Sequence, residues 1–250
     1  MAVDPNEDDT TERRTVQATY RAASGDLVKV EWDRLLVDEV ASGQPVREFR
    51  WYRGRQHYSG WYAASTTGGL VAYESRLELA RILLADFDPG VVGIAAQPFQ
   101  MSGWDGVRQR RHVPDLFLVH ADGLVTVVDV KAPWRMKDPK VIAQFGWTRS
   151  VCSRRGWAYE TWSGVEPAVL ENVRFLAGFR RRHLLEESLI EAVLETARGQ
   201  RSIGGVEAAL APSFPAEAVR PVVLHLLWSG ALVADLRRPL GGMTGIRVAA

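Results

Sequence analysis

The chain has 250 residues, 46% of them hydrophobic and 24% charged, with a single cysteine and 31 basic against 30 acidic side chains. That composition and length fit one large globular domain or a domain with an appended module, and exclude disordered, fibrous and, with no apolar run near ~18 residues, membrane-spanning classes. Lone Cys152 excludes a disulfide framework and a multi-cysteine zinc site and fits a reducing, cytoplasmic setting, while a net charge of +1 leaves any nucleic-acid partner to a local patch.

Met1 to Glu12 is acidic and polar, unlike a signal peptide, and is expected to be a tail within an N-terminal extension over residues 1–45. From Leu27 to Tyr62 the text is strand-like: Val28, Val30 and Trp32 alternate, and Phe49 and Trp51 follow. Ser75 is read as a helix cap. Arg76 to Asp86 contains no Gly or Pro. Leu77, Ala80, Leu83, Leu84 and Phe87 form its apolar stripe, and Glu74, Glu78 and Arg81 a polar one. Asp88-Pro89-Gly90 ends it, and Val91 to Gln97 reads as a strand stopped by Pro98. Pro114–His120 and Leu124–Lys131 read as two more strands, joined across Ala121-Asp122-Gly123, where Gly123 supplies the positive φ of a tight hairpin. Asp138–Arg155 reads as a helix and Trp157–Trp162 as a strand. This order of elements predicts a mixed α/β layer fold over residues 46–165.

Residues 166–250 read differently. After Pro167–Arg180 come three helical segments, Leu184–Arg198, Ile203–Leu210 and Pro215–Ser229, then strands at Ala231–Leu236 and Gly245–Val248. That is the outline of a winged-helix-like domain. Glu186, Glu187, Glu191 and Glu195 argue against the first of these helices lying on DNA. The third is strongly apolar, whereas a recognition helix offers polar groups to base edges, so a protein-docking role is favoured.

The chemistry-bearing text is Val113-Pro114-Asp115 followed by Asp129-Val130-Lys131. Asp129 and Lys131 are two apart on a strand and point to one face. A three-residue loop at 121–123 makes His120 face Leu124 and sets Asp115 opposite Asp129. A two-residue loop would turn Asp115 to the other face. The first arrangement, or a bulge with the same effect, is the expectation. Two close carboxylates repel unless a cation sits between them, and oxygen ligands favour Mg²⁺ or Mn²⁺ over zinc. Such a metal activates water and stabilises the leaving oxygen of a phosphodiester. Lys131 adds a positive charge for the attacking hydroxide or the transition state. Glu78, on the preceding helix, is placed to complete the metal shell.

Pro-Asp … Asp-x-Lys after a Glu-bearing helix resembles the PD-(D/E)xK nuclease superfamily, related to restriction endonucleases. Residues 45–165 more specifically resemble the TnsA-like endonuclease subunit of heteromeric transposases. The text that carries the likeness is Tyr73-Glu74-Ser75-Arg76-Leu77-Glu78-Leu79-Ala80, Phe87-Asp88-Pro89-Gly90-Val91, Gln97-Pro98, Pro114-Asp115-Leu116-Phe117-Leu118-Val119 and Val128-Asp129-Val130-Lys131. The resemblance implies an α/β, restriction-endonuclease-like mixed sheet flanked by helices. It implies a catalytic Glu78, a metal-binding Asp115, a site-lining Asp129 (some relatives place Gln there) and a catalytic Lys131. The expected metal set is Glu78, Asp115, Asp129 and the Val130 carbonyl. In such systems the enzyme nicks 5′ ends of a transposable element, a DDE transposase cuts the 3′ ends, and an AAA+ ATPase regulates both. Double-stranded DNA and these two proteins are therefore the expected partners.

Other features carry two readings each. Glu74 is an accessory acid or a solvated helix residue. Gln97 reaches the site or closes a strand end. Arg108, Arg110, Arg111 and His112, like Arg135, Lys137 and Lys140, are solvated loops or places where phosphates arrive. Arg180-Arg181-Arg182-His183 grips DNA backbone or links domains. The histidines show no ligand spacing. The competing functions are a stand-alone repair or restriction nuclease, and a catalytically inactive winged-helix DNA-binding protein.

Overall fold

The computed structural model describes residues 15–47, 58–182 and 185–249. The expectations for Met1–Glu12 and for Phe49 and Trp51 lie outside the described residues. The chain divides into two compact units, one of Met1–Ile82 with Gly90–Gly164, the other of Leu83–Pro89 with Val165–Ala250.

The first unit holds β1 (Gln17–Arg21), β2 (Leu27–Glu31), α1 (Val37–Ala41), β3 (Gly60–Ala63) and β4 (Leu70–Tyr73). It continues with the start of α2 (Arg76–Phe87), β5 (Val91–Ala96), β6 (Phe99–Trp104), β7 (Gln109–His112), β8 (Leu116–His120), β9 (Val125–Val130), α3 (Pro139–Ser153) and β10 (Ala158–Trp162). Two four-stranded sheets result. One is antiparallel, in the order β2-β1-β6-β7. The other, β10-β9-β8-β5, is mixed, with β9 and β10 parallel. β3 and β4 form a separate hairpin. The mixed α/β architecture is as read from the sequence. Residues 17–45, part of the segment 1–45 read as an extension, pair within this unit: β1 bonds to β6, and the following Val46 N–H donates to the Gln97 carbonyl at 2.9 Å.

Aromatic side chains lock this unit. Trp32, expected to continue a strand, opens a 3-10 turn (Trp32–Arg34) and is buried. Its ring meets Trp157 at 5.1 Å and Phe99 at 5.2 Å between centroids, and Phe117 meets Trp157 at 5.3 Å, all edge-to-face. Such pairs add roughly 0.5–1.5 kcal/mol each beyond area burial. The buried Trp32 indole N–H donates to the Val151 carbonyl at 3.0 Å, so it carries no unsatisfied donor.

The chain crosses from one sheet to the other twice. β5 passes to β6 at Gln97-Pro98, and β7 passes to β8 at Val113-Pro114-Asp115. Proline lacks an N–H and so cannot extend a ladder, which suits it to both crossings. The two corners are tied together by Gln97 N–H donating to the Asp115 carbonyl at 2.9 Å.

The second unit holds the segment 83–89 and α4 (Pro167–Leu176), α5 (Glu187–Gly199), α6 (Ile203–Leu210), α7 (Ala216–Trp228), β11 (Leu232–Ala234) and β12 (Ile246–Val248). The two strands pair antiparallel. Val219, Val222, Val223, Leu224, Leu226, Leu227 and Trp228 of α7 are buried. Their apolarity is that of the unit's own core, which replaces the expectation of a protein-docking face on this helix. His225 is buried with Nδ1 at 2.8 Å from the Phe179 carbonyl, and Asn172 Nδ2 donates to the carbonyls of Leu236 and Arg238, both at 2.8 Å. No helix among the described residues is long and apolar enough to cross a membrane.

Candidate functional site

Glu78 sits in the first turn of α2. Ser75 Oγ accepts from Glu78 N–H at 3.1 Å and donates to Glu78 Oε1 at 2.8 Å, while Glu78 Oε2 accepts from Glu74 N–H at 2.8 Å. This is a capping-box arrangement, which satisfies N–H groups that a helix start leaves open. Each carboxylate oxygen keeps a lone pair beyond the one the cap uses. Burial lifts the Glu78 carboxyl above its usual range; the cap hydrogen bonds and the nearby Lys131 charge oppose that, and Glu74 adds to it.

Asp115 enters from the proline corner. The hairpin has the expected three-residue loop: His120 N–H donates to Leu124 at 2.9 Å, and Gly123 has φ of 83°. The register runs from Val119 opposite Val125 to Leu116 opposite Val128. At its end the structure takes the bulged alternative. Asp115 N–H also donates to the Val128 carbonyl, at 3.0 Å, so Asp115 and Leu116 both meet Val128 in a bulge-like step. The Asp115 carboxylate then turns along β9, and Oδ2 accepts from Val130 N–H at 2.6 Å. Its pKa is pushed up to about 7, first by burial, then by the Asp129 and Glu78 charges; Lys131 and the Val130 N–H act the other way.

Asp129 is 1% exposed. Its Oδ2 lies 2.7 Å from His112 Nε2 and accepts from the Tyr159 hydroxyl at 2.5 Å, while Oδ1 is buried with no partner. Burial and the Asp129 charge raise the Tyr159 hydroxyl, and the same two causes push the buried Cys152 thiol up to about 12. Cys152 is therefore an inert packing residue. Lys131 follows β9, anchored by its N–H donating to the Trp162 carbonyl at 2.8 Å.

Thus Asp115, Asp129, Glu78 and Lys131 lie in one electrostatic neighbourhood, at the split between the sheets. Among the described residues no group of three His, Cys, Asp or Glu side chains gathers as a metal cage. The donor set nonetheless fits a hard cation. Asp115 resists ionising beside two other carboxylates, and Asp129 Oδ1 lacks any partner; a divalent ion relieves both. Mg²⁺ characteristically keeps several waters and takes one or two protein carboxylates, so a closed protein cage is not required.

Gln97 has φ of 46°, the only positive φ among described non-glycine residues, and is 4% exposed with Oε1 unpartnered. Such a conformation costs of order 1–3 kcal/mol and is held by its surroundings, here the bonds to Asp115 and Val46. It does more than close a strand. The run Arg108–His112 forms β7 over Gln109–His112 and not a loop; Arg110 pairs with Asp105, and His112 bonds Asp129. Glu74 contributes its N–H to the Glu78 cap. Arg182 pairs with Glu187 at 2.6 Å on the surface, and His183 lies outside the described residues. Sequence reasoning missed His112 and Tyr159 as Asp129 partners. No local signal marked Tyr159, since β10 reads Ala-Tyr-Glu-Thr-Trp and the strand beside it was not readable.

No protein-family model matches this chain, and no curated protein matches it.

Proposed function

We propose that the chain is a metal-dependent DNA endonuclease, restriction-endonuclease-like in fold, with a winged-helix-like second unit. In this reading it acts as the strand-nicking subunit of a heteromeric transposase, alongside a DDE transposase and an AAA+ ATPase. The observation that carries the reading is Asp115: a carboxyl pushed up to about 7 by burial and by the Asp129 and Glu78 carboxylates, with Lys131 beside it. Lys131 is one cation against three carboxylates, and the excess negative charge is what a bound divalent ion would neutralise.

In the proposed mechanism Asp115, Asp129 and the Val130 carbonyl would hold a divalent cation, with Glu78 contributing charge from the helix cap. When bound, Mg²⁺ or Mn²⁺ supplies a polarised phosphoryl oxygen and a more acidic water. The chain's own part is positional. His112 and Tyr159 fix one Asp129 oxygen and leave the other for the ion. Val130 N–H fixes one Asp115 oxygen. The Lys131 ammonium orients the attacking water and stabilises charge gathering on the phosphorane oxygens.

The test is strand scission on supercoiled and element-end DNA with and without Mg²⁺, comparing the wild type with Asp115→Ala, alone and with the candidate partner proteins. Metal-dependent nicking lost in the variant is the expected result. Equal nicking by both proteins, or none under any of these conditions, refutes it. Tight metal-independent binding with no scission would favour the inactive DNA-binding reading.

A further inference from the structure

The segment that follows β9 concentrates unusual surface chemistry. The chain has four lysines, and three of them, Lys131, Lys137 and Lys140, fall between residues 131 and 140, together with Arg135. The single acid there, Asp138, uses its carboxylate to cap α3, accepting from Lys140 N–H at 2.8 Å. Within this cluster Pro133–Arg135 forms a 3-10 turn, and Trp134 at its centre is 78% exposed. Its indole has no place in the core. The Arg135 guanidinium lies over one part of it, 5.8 Å from the ring centroid. A tryptophan ring displayed among cations offers an unpaired base a stacking face while its phosphates meet lysine.

We infer that residues 131–140 form a strand-holding element, in which Lys137, Lys140 and Arg135 bind DNA phosphates and Trp134 stacks on a nucleotide unpaired next to the cut. This rests on the nuclease reading of the adjoining site, and names the form of DNA that site handles: a duplex with a locally single-stranded end. Charge complementarity selects nucleic acid as the occupant, and the flat aromatic face selects an unstacked base within it. Lys131, at the start of the segment, keeps its role at the reacting phosphate.

The test is equilibrium binding by the full chain without divalent metal, so that nothing is cut. The probes are a fluorescein-labelled blunt duplex and the same duplex carrying a short single-stranded 5′ flap, read by anisotropy. The wild type should prefer the flapped duplex. Trp134→Ala should lower that preference by roughly 5- to 100-fold and leave blunt-duplex binding nearly unchanged, with Trp134→Phe keeping most of it. Lys137→Ala with Lys140→Ala should weaken both probes and reduce the slope of log affinity against log salt by about 1–2. Failure of the wild type to bind either probe, an unchanged flap preference in Trp134→Ala, or an unchanged salt slope in the lysine pair overturns the inference. Absence of Mg²⁺-dependent nicking by the wild type in the scission assay, with this metal-free binding pattern intact, would instead refute the nuclease reading alone.

Discussion

Asp115→Asn should stabilise the metal-free protein at neutral and alkaline pH. The Asp115 carboxyl titrates at about 7 in the folded chain against an ordinary 3.8. The native state therefore holds this proton more tightly than the unfolded chain does. Stability from this group is fully present below the unfolded value and falls as pH rises from about 4 through about 7. A shift of roughly three units corresponds to about 4 kcal/mol at most, and roughly 2–3 kcal/mol of it falls between pH 5 and pH 8. Asparagine is neutral throughout and still offers an oxygen to the Val130 N–H. Urea unfolding with EDTA, followed by tryptophan fluorescence at pH 5 and pH 8, compares the two proteins. The gap between variant and wild type should widen by about 2 kcal/mol toward alkaline pH. Saturating Mg²⁺ should narrow it, since a ligand at 100 times its Kd adds about 2.7 kcal/mol to the state that binds it. Parallel pH profiles for the two proteins would show that Asp115 is ordinarily acidic and that the crowding argument is wrong.

Lys131→Met should leave duplex binding within a few-fold and lower cleavage by roughly 10²–10³-fold in single-turnover assays; equal loss of binding would make Lys131 a contact residue only. Tyr159→Phe removes a hydrogen bond to a buried carboxylate and should cost about 1–3 kcal/mol by urea unfolding, with weaker Mg²⁺ stabilisation. A neutral Tyr159→Phe would show that Asp129 finds other partners. Ser75→Ala removes both hydroxyl bonds to Glu78 and should cost about 1 kcal/mol in thermal unfolding, in line with lost helix caps.

Much of the second sheet was legible from residues. Val91–Gln97, the 121–123 loop and the apolar run before Lys131 state strand, turn and strand through local chemistry alone. Of the first sheet only β2 was legible, through the alternation of Val28 and Val30, and the rest was not, for a physical reason. β7 is Gln-Arg-Arg-His, and nothing local says that Arg110 meets Asp105 while His112 bonds Asp129. β1 owes its place to β6, a pairing of Tyr20 with Phe99 across most of a hundred residues. At the site, Asp115, Asp129 and Lys131 followed from spacing and register. The bulge-like step at Asp115 was open as an alternative to the straight register, and the choice between them depends on the second proline corner meeting the first. Ser75 was legible as a cap and Glu78 as a residue for the metal shell, but their pairing in one helix cap was not read and comes from the structure.

The allocation of residues 83–89 to the second unit bears on how this protein can be divided and recombined. A fragment that begins at residue 165 lacks Phe87, whose ring stands 5.4 Å from Trp228, and Pro89, which packs closely against Gly230. Such a fragment would be a torso missing its own rib, prone to aggregate through the bared Trp228 and Leu227. The C-terminal unit is therefore not a cassette that an exchange at one point in the gene can transplant. A successful chimera has to carry the end of α2 with it, so the helix that bears Glu78 also sets the grain along which this architecture can be rearranged.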